Sequence, residues 1–255
     1  MSLEGKVAIV TGGSRGIGEA IATTFARRGA KVVVSSRKLD GLEAVAKKIV
    51  AAGGDATAIA CHAGREDDIE ALFAKTVERY GKVDVLVNNA AANPYFGPMM
   101  NVDWGAWDKT FDVNTKGYFM ATRSLVRHLS SRNAPGSVVN IASIAGMTAA
   151  IAQGVYGMTK AAVISMTKTL AVELGGTGIR VNAIAPGLVE TKFAGALLEN
   201  ESLLKAMKER APVRRVGKPD DIAGLALFLG SDASNYVTGQ VFVADGGMLE
   251  AGIGF

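Results

Sequence analysis

The sequence predicts an α/β fold, a single doubly wound parallel sheet with helices on both faces. Three observations predict it. Short apolar, β-branched runs alternate with longer stretches of helical periodicity, and this βαβα rhythm builds a parallel sheet with right-handed crossovers. The runs are apolar throughout, as strands covered on both faces must be. A glycine-rich turn follows the first run at once and leads into a helix, an arrangement that receives a phosphate. With 255 residues, 49 % of them hydrophobic, and 31 glycines, the chain can bury one large core, and 1–255 is expected to be one domain.

Lys6–Thr11 reads as the first strand, and Ile21, Phe25 and Ala26 mark a helix ending at Gly29. Between them lies Gly12-Gly-Ser-Arg-Gly16-Ile-Gly18. Free N–H groups and the helix dipole favour an anion there. The spacing Gly12-x-x-x-Gly16-x-Gly18 departs from the common Gly-x-Gly-x-x-Gly, and no nucleotide-hydrolysing P-loop pattern occurs. Lys31–Ser36 is the second strand. An acid about 20 residues past the glycines would bind an adenosine ribose 2′-hydroxyl. Here Ser36, Arg37 and Lys38 stand instead, and the first carboxylate is Asp40. A guanidinium forks onto a phosphate, so Arg37, with Arg15 from the glycine turn, favours NADP(H) over NAD.

Helix Leu42–Ala52, strand Ala56–Cys61, helix Asp67–Tyr80 and strand Val83–Val87 continue the alternation. His62 follows the third strand, either edging an adenine or sitting as an ordinary loop histidine. Asn88-Asn89-Ala90-Ala91 ends the fourth strand, where ligands gather in open α/β sheets. Asn93–Met100 reads as an apolar pocket rim, with Tyr95 and Phe96. A long helical pattern from about Asp103 to Arg132 carries Trp104, Trp107, Phe111, Tyr118 and Phe119, read as core or subunit contacts. Asn114, polar on that apolar face, is expected to satisfy buried backbone or hold a water.

Gly136–Ile141 is the fifth strand, with Ser143 at its end and a helix from about Tyr156 to Leu174 beyond. Residues four apart share a helix face, so the phenol of Tyr156 and the ammonium of Lys160 are neighbours. A free phenol with a pKa of about 10 is a poor base at neutral pH, and a fixed cation lowers that value. Glycines 175, 176 and 178 break the helix before strand Ile179–Ala185, which Pro186-Gly187 closes. The amphipathic Glu190–Arg210, with Phe193, Leu197, Leu198, Leu203, Leu204 and Met207, reads as a substrate lid within 188–212 or as a charged surface helix. A helix from Pro219 to Leu229 and a strand Gln240–Ala244 complete the pattern.

The net charge of +4 is spread over scattered pairs such as Arg27-Arg28, Lys47-Lys48 and Arg214-Arg215, which argues against nucleic-acid binding. No apolar run approaches a membrane span, and the final Ala-Gly-Ile-Gly-Phe255 matches no address, so a cytoplasmic location is expected. The one cysteine, Cys61, reads as core filler in a reducing compartment. No metal site is expected.

These residues together resemble the short-chain dehydrogenase/reductase family, a Rossmann-type fold, over essentially the whole chain. The motifs in register are Thr11-Gly-x-x-x-Gly16-x-Gly18, Asn88-Asn89-Ala90, Asn114, Ser143, Tyr156-x-x-x-Lys160 and Pro186-Gly187. By that resemblance Tyr156 is the acid/base and Lys160 lowers its pKa and binds the nicotinamide ribose. Ser143 orients the substrate oxygen, and Asn114 holds a water in a proton relay. The cofactor set it implies is Gly12, Ser14, Arg15, Gly16, Ile17, Gly18, Arg37, His62, Asn89, Ala90, Tyr156, Lys160, Pro186, Gly187, Val189 and Thr191. Ala91 departs from the family's usual Gly and His62 from its usual Asp. The run Asn88–Gly97 is similar to the NADPH-dependent carbonyl and retinal reductases, which implies interconversion of a ketone or aldehyde and an alcohol. Tyr95, Phe96, Met147, Leu188 and Phe193 are the pocket candidates. Family members are commonly tetramers, paired through the two long helices and the last strand. The rival readings are a 3-oxoacyl-thioester reductase of the same family, a non-catalytic NADP-binding redox sensor and a methyltransferase.

Overall fold

In a computed structural model, residues 1–195 and 201–251 are described, without the side chain of Leu203. Seven strands form one sheet: β1 (Val7–Thr11), β2 (Lys31–Ser36), β3 (Asp55–Ala60), β4 (Val85–Asn88), β5 (Gly136–Ile141), β6 (Ile179–Pro186) and β7 (Val241–Ala244). The order is β3-β2-β1-β4-β5-β6-β7, with every pair parallel. The chain builds outward from β1 to β3 and then restarts at β4 on the other side of β1. The carboxyl ends of β1 and β4 therefore flank a topological switch point, where such sheets bind ligands.

Alternation along each strand feeds two cores. Ala8, Val10, Val32, Val34, Val85 and Val87 pack with α1 (Gly16–Arg27), α2 (Leu39–Ala51) and α8 (Pro219–Gly230). Ile9, Val33 and Leu86 point the other way, into a cluster with α3 (Glu66–Tyr80) and α5 (Gly117–Ser131). A smaller cluster under α6 (Gly154–Leu174) holds Tyr118, Ala142, Val163, Ala183 and Ala185. Each fully buried Val, Leu or Ile contributes about 1.5–3 kcal/mol, so a sheet apolar on both faces stabilises both helical layers.

Helix ends follow local chemistry. Glu66, Asp67 and Asp68 crowd the first turn of α3, opposite its dipole, and Gly81 ends it in a left-handed conformation at φ 79°. α8 starts with Pro219, and Asp221 accepts from the Lys218 N–H at 2.6 Å. The helical pattern expected over 103–132 runs unbroken through α4 (Trp104–Phe111), a wide five-residue turn at Asp112–Lys116 and α5. At Gly117 a Cβ would meet the Ala63 carbonyl oxygen at 2.2 Å, so only glycine lets the helix run this close to the loop after β3. The 188–212 segment holds a short turn at Lys192–Ala194 and the exposed α7 (Glu201–Arg210), with Leu204 and Met207 half-buried. Leu197, Leu198 and the Leu203 side chain lie outside the described residues. No helix among the described residues is long and apolar enough to cross a membrane.

Candidate active site

The glycine turn sits at the end of β1, beside the end of β4. The Thr11 hydroxyl accepts from the N–H groups of Asn89 (2.9 Å) and Ala90 (3.1 Å) and donates to the Val87 carbonyl (3.2 Å). The Asn89 amide donates to the carbonyls of Thr11 (2.9 Å) and Gly12 (3.2 Å), tying the two loops together. A Cβ at Gly18 would fall 2.3 Å from the Gly12 oxygen and 2.6 Å from Asn89 Nδ2, and Gly12 and Gly16 have φ of +66° and +59°. These positions need glycine for closeness and for conformation. Arg15, at the start of α1, makes no capping side-chain bond. The first-turn N–H groups of α1 therefore lack a capping side-chain acceptor, and a pyrophosphate fits them.

Arg15 and Arg37 are exposed and have no ion-pair partner among the described residues. Ser14 is half-buried in the turn, and Gly41 at the start of α2 faces it. His62 Nδ1 accepts from the Gly64 N–H at 3.1 Å, and Asp68 accepts from the His62 N–H at 2.7 Å. The ring thus shapes its own loop. On the other side of the turn, Thr191 caps the Lys192–Ala194 turn and brings Cγ2 to 3.1 Å from where a Gly16 Cβ would stand. Pro186 ends β6, the Gly187 N–H bonds the Ala244 carbonyl at 3.1 Å, and Val189 is buried in the core while bridging Gly217.

The second half of the site hangs on β5 and α6. Ser143, two residues past β5, accepts from the Ala145 N–H at 3.1 Å, and its hydroxyl lies near enough to the Tyr156 phenol to lower the phenol's pKa. A Cβ at Gly146 would meet Lys160 and Ala161 backbone at 2.6–2.7 Å, so the turn after Ser143 lies directly on α6. Lys160 is 1 % exposed, donates to the Ile141 carbonyl at 2.7 Å and has no ion-pair partner among the described residues. Burial pulls its ammonium down from 10.5 to about 7 and pushes the Tyr156 phenol up to about 12, which Ser143 partly offsets. The phenol is therefore not brought below its ordinary value as expected. The ammonium lies 5.5 Å from the Tyr156 ring centre, with its hydrogen bonds turned toward β5 and α5, and burial outweighs it.

Asn114 is fully buried in the wide turn. It accepts from the Ala92 N–H (2.7 Å) and donates to the Ala92 carbonyl (2.9 Å) and to Thr159 Oγ1 (3.1 Å). The backbone-satisfying half of its expected role is thus in place. It joins the Asn88–Ala92 loop to α6 one residue before Lys160.

The human dehydrogenase/reductase SDR family member 4 is 42 % identical over 245 residues, covering 96 % of this chain and 88 % of that protein. The Arabidopsis thaliana short-chain dehydrogenase/reductase SDRA is 40 % identical over 246 residues, covering 96 % and 95 %. The chain belongs to the short-chain dehydrogenase/reductase family. The family model described as enoyl-(acyl carrier protein) reductase matches residues 12–249. Among solved structures, a short-chain type dehydrogenase/reductase from Mycobacterium ulcerans aligns with TM-score 0.93 at 32 % identity, over 98 % of this chain and 92 % of that one. A protein from Agrobacterium tumefaciens with bound NADP aligns with TM-score 0.91 at 37 % identity, over 98 % of both chains. As a short-chain dehydrogenase/reductase, the chain is an oxidoreductase of a family that binds a nicotinamide cofactor.

Of the pocket candidates, Phe193 meets Tyr156 directly, their ring centres 5.8 Å apart. Phe96 and Met147 are about half exposed and Leu188 is half-buried. Tyr95 instead bonds the Pro98 carbonyl at 2.9 Å and folds over Gly97, so it braces its own loop. The residue list drawn from sequence lacks Met99, which packs against Gly154 two positions before Tyr156, and Thr159, the partner of Asn114. Thr159 lies within Tyr156-x-x-x-Lys160 and was visible as a hydroxyl beside the lysine, whereas Met99 was legible only as one residue of the apolar rim at 93–100.

Proposed function

We propose that this short-chain dehydrogenase/reductase is an NADP(H)-dependent enzyme interconverting a ketone or aldehyde and an alcohol, with Tyr156 as acid/base. The observation that carries this reading is the convergence on Tyr156 of Ser143, which lowers the phenol's pKa, and of buried Lys160, whose ammonium lies 5.5 Å from the ring centre. Gly12, Gly16, Ile17 and Gly18 would hold the pyrophosphate, and the exposed, unpaired Arg15 at the start of α1 and Arg37 just after β2 a 2′-phosphate. A bound nicotinamide supplies or accepts the hydride. Ser143 orients the substrate oxygen, and Tyr156 donates its proton in reduction and removes it in oxidation. At pH 7 a phenol held up near 12 is protonated, the form that reduction requires. Asn114 would anchor a proton relay toward Lys160. Phe193, Phe96 and Met147 favour an apolar substrate, and 188–212 would act as its lid.

The enzyme would work as a cytoplasmic homotetramer. Phe119 on α5, Val172 on α6 and Val243 on the edge strand β7 are exposed apolar residues on the elements such pairing would use. The name of the matching family model supports keeping acyl thioesters as a second substrate class. The test is NADPH and NADH consumption over a panel of apolar ketones, diketones and 3-oxoacyl thioesters, with Tyr156→Phe as blank. Turnover of ketones, dependent on Tyr156 and faster with NADPH, is expected. Tight NADPH binding without turnover of any of these, or of the matching alcohols with NADP, would favour the sensor reading.

A further inference from the structure

Tyr118 is the largest fully buried side chain among the described residues, a phenol 1 % exposed beneath α6. It lies four residues after Asn114, in the first turn of α5. Its hydroxyl accepts from Lys160 Nζ at 3.3 Å and donates to the Ile141 carbonyl at 3.2 Å, the same carbonyl that Lys160 bonds at 2.7 Å. Its ring centre lies 5.0 Å from Lys160 Nζ, against 5.5 Å for Tyr156. The ammonium thus lies within cation–π range of two phenol rings. Asn114 and Tyr118 together grip consecutive residues of α6, Thr159 and Lys160.

We infer that Tyr118 is a positioning residue for the reaction: its hydroxyl and ring favour the ammonium form of the buried Lys160 and fix it beside Tyr156. The inference rests on the reading of Tyr156 as acid/base. Among described residues, the charged groups of neighbouring elements leave this task to Tyr118. Asp112 and Lys116 of the wide turn pair with each other at 3.9 Å, and Arg180 of β6 binds the Leu229 and Ser231 carbonyls and Ser234 at the end of α8. Arg123 and Arg127 of α5 pair with Glu66 and Glu70, and His128 accepts from the Val83 N–H. Asp108 and Lys109 on α4, and Lys168 and Glu173 on α6, are exposed. Desolvation is accordingly the sole cause of the lowered Lys160 value. Tyr118 itself stays a neutral phenol, since burial pushes it well above the ordinary range.

The test is a ¹³C NMR titration of Lys160 Cε in wild type and Tyr118→Phe, with the signal assigned by its loss in Lys160→Met. Losing a hydrogen bond to a charged group should lower the Lys160 pKa by about one unit. In alcohol oxidation the rising, acid-side limb of the kcat profile should move to higher pH, with kcat recovering at alkaline pH and KM little changed. 3-Fluorotyrosine at 118, which keeps shape but weakens the acceptor, should move Lys160 the same way by less, and serves if Tyr118→Phe does not fold. An unchanged Lys160 titration in the folded variants overturns the role of Tyr118. Turnover surviving in Tyr156→Phe overturns the catalytic reading instead, and the titration, which needs no turnover, separates the two.

Discussion

Replacing Lys160 by Met should stabilise the protein while removing its activity, by an amount that depends on pH in a fixed sense. Lys160 is buried without a carboxylate among the described residues, and its pKa falls from 10.5 to about 7. Between those values the unfolded chain holds a proton that the folded chain has released. Stability of the wild type therefore rises with pH across the window, and the cost of burying the charge is fully present below about pH 7 and gone above 10.5. At about 1.4 kcal/mol per pKa unit the full cost is on the order of 5 kcal/mol. Methionine has similar length, fills the space between the Tyr118 and Tyr156 rings and leaves the Ile141 carbonyl bonded by Tyr118. Urea unfolding at pH 6, 7, 8, 9 and 10, at one protein concentration and followed by tryptophan fluorescence, measures the difference between variant and wild type. The variant's advantage should be a few kcal/mol at pH 6 and shrink steadily toward pH 10. An advantage that is constant, or grows with pH, would refute the reasoning.

Three other outcomes follow from the same geometry. Arg37→Asp should move cofactor preference from NADPH toward NADH by tenfold or more, about 1.4 kcal/mol, read as the ratio of kcat/KM; an unchanged ratio would remove the 2′-phosphate role. Gly18→Ala pushes a methyl against the Gly12 carbonyl and should weaken NADP binding at least tenfold by calorimetry; wild-type affinity would contradict the pyrophosphate cradle. Asn114→Ala strands the Ala92 N–H and carbonyl and should cost about 1–3 kcal/mol in urea unfolding; a neutral effect would show that the Asn88–Ala92 loop does not depend on it.

Much of the fold was legible because burial on both sheet faces writes apolar strands into the sequence. β2 and β5 match their expected spans, and most other strands differ by a residue or two at their ends. The wide turn at 112–116 was not legible: it adjoins the close approach of Gly117 to Ala63, a contact distant in sequence. Tyr156, Ser143 and Lys160 were found by spacing, and their proximity is local to β5 and α6. Their charge states were not. Spacing placed a cation by a phenol, but the depth of burial that drives both groups toward neutrality depends on α5, the turn at 144–146 and Tyr118 packing over them. Tyr118 itself read as one more apolar-face aromatic, since a one-dimensional pattern does not show what a buried hydroxyl bonds.

The central claim is that Tyr156 completes a hydride transfer between nicotinamide and a carbonyl carbon. The most direct test is reduction of the best panel substrate with 4-deuterated NADPH of each facial stereochemistry, the alcohol product being read by mass spectrometry. The account predicts one deuterium on the carbinol carbon from one of the two labelled cofactors, and no product from Tyr156→Phe. Product formed at a comparable rate by Tyr156→Phe, or an alcohol without deuterium from either cofactor, would contradict it.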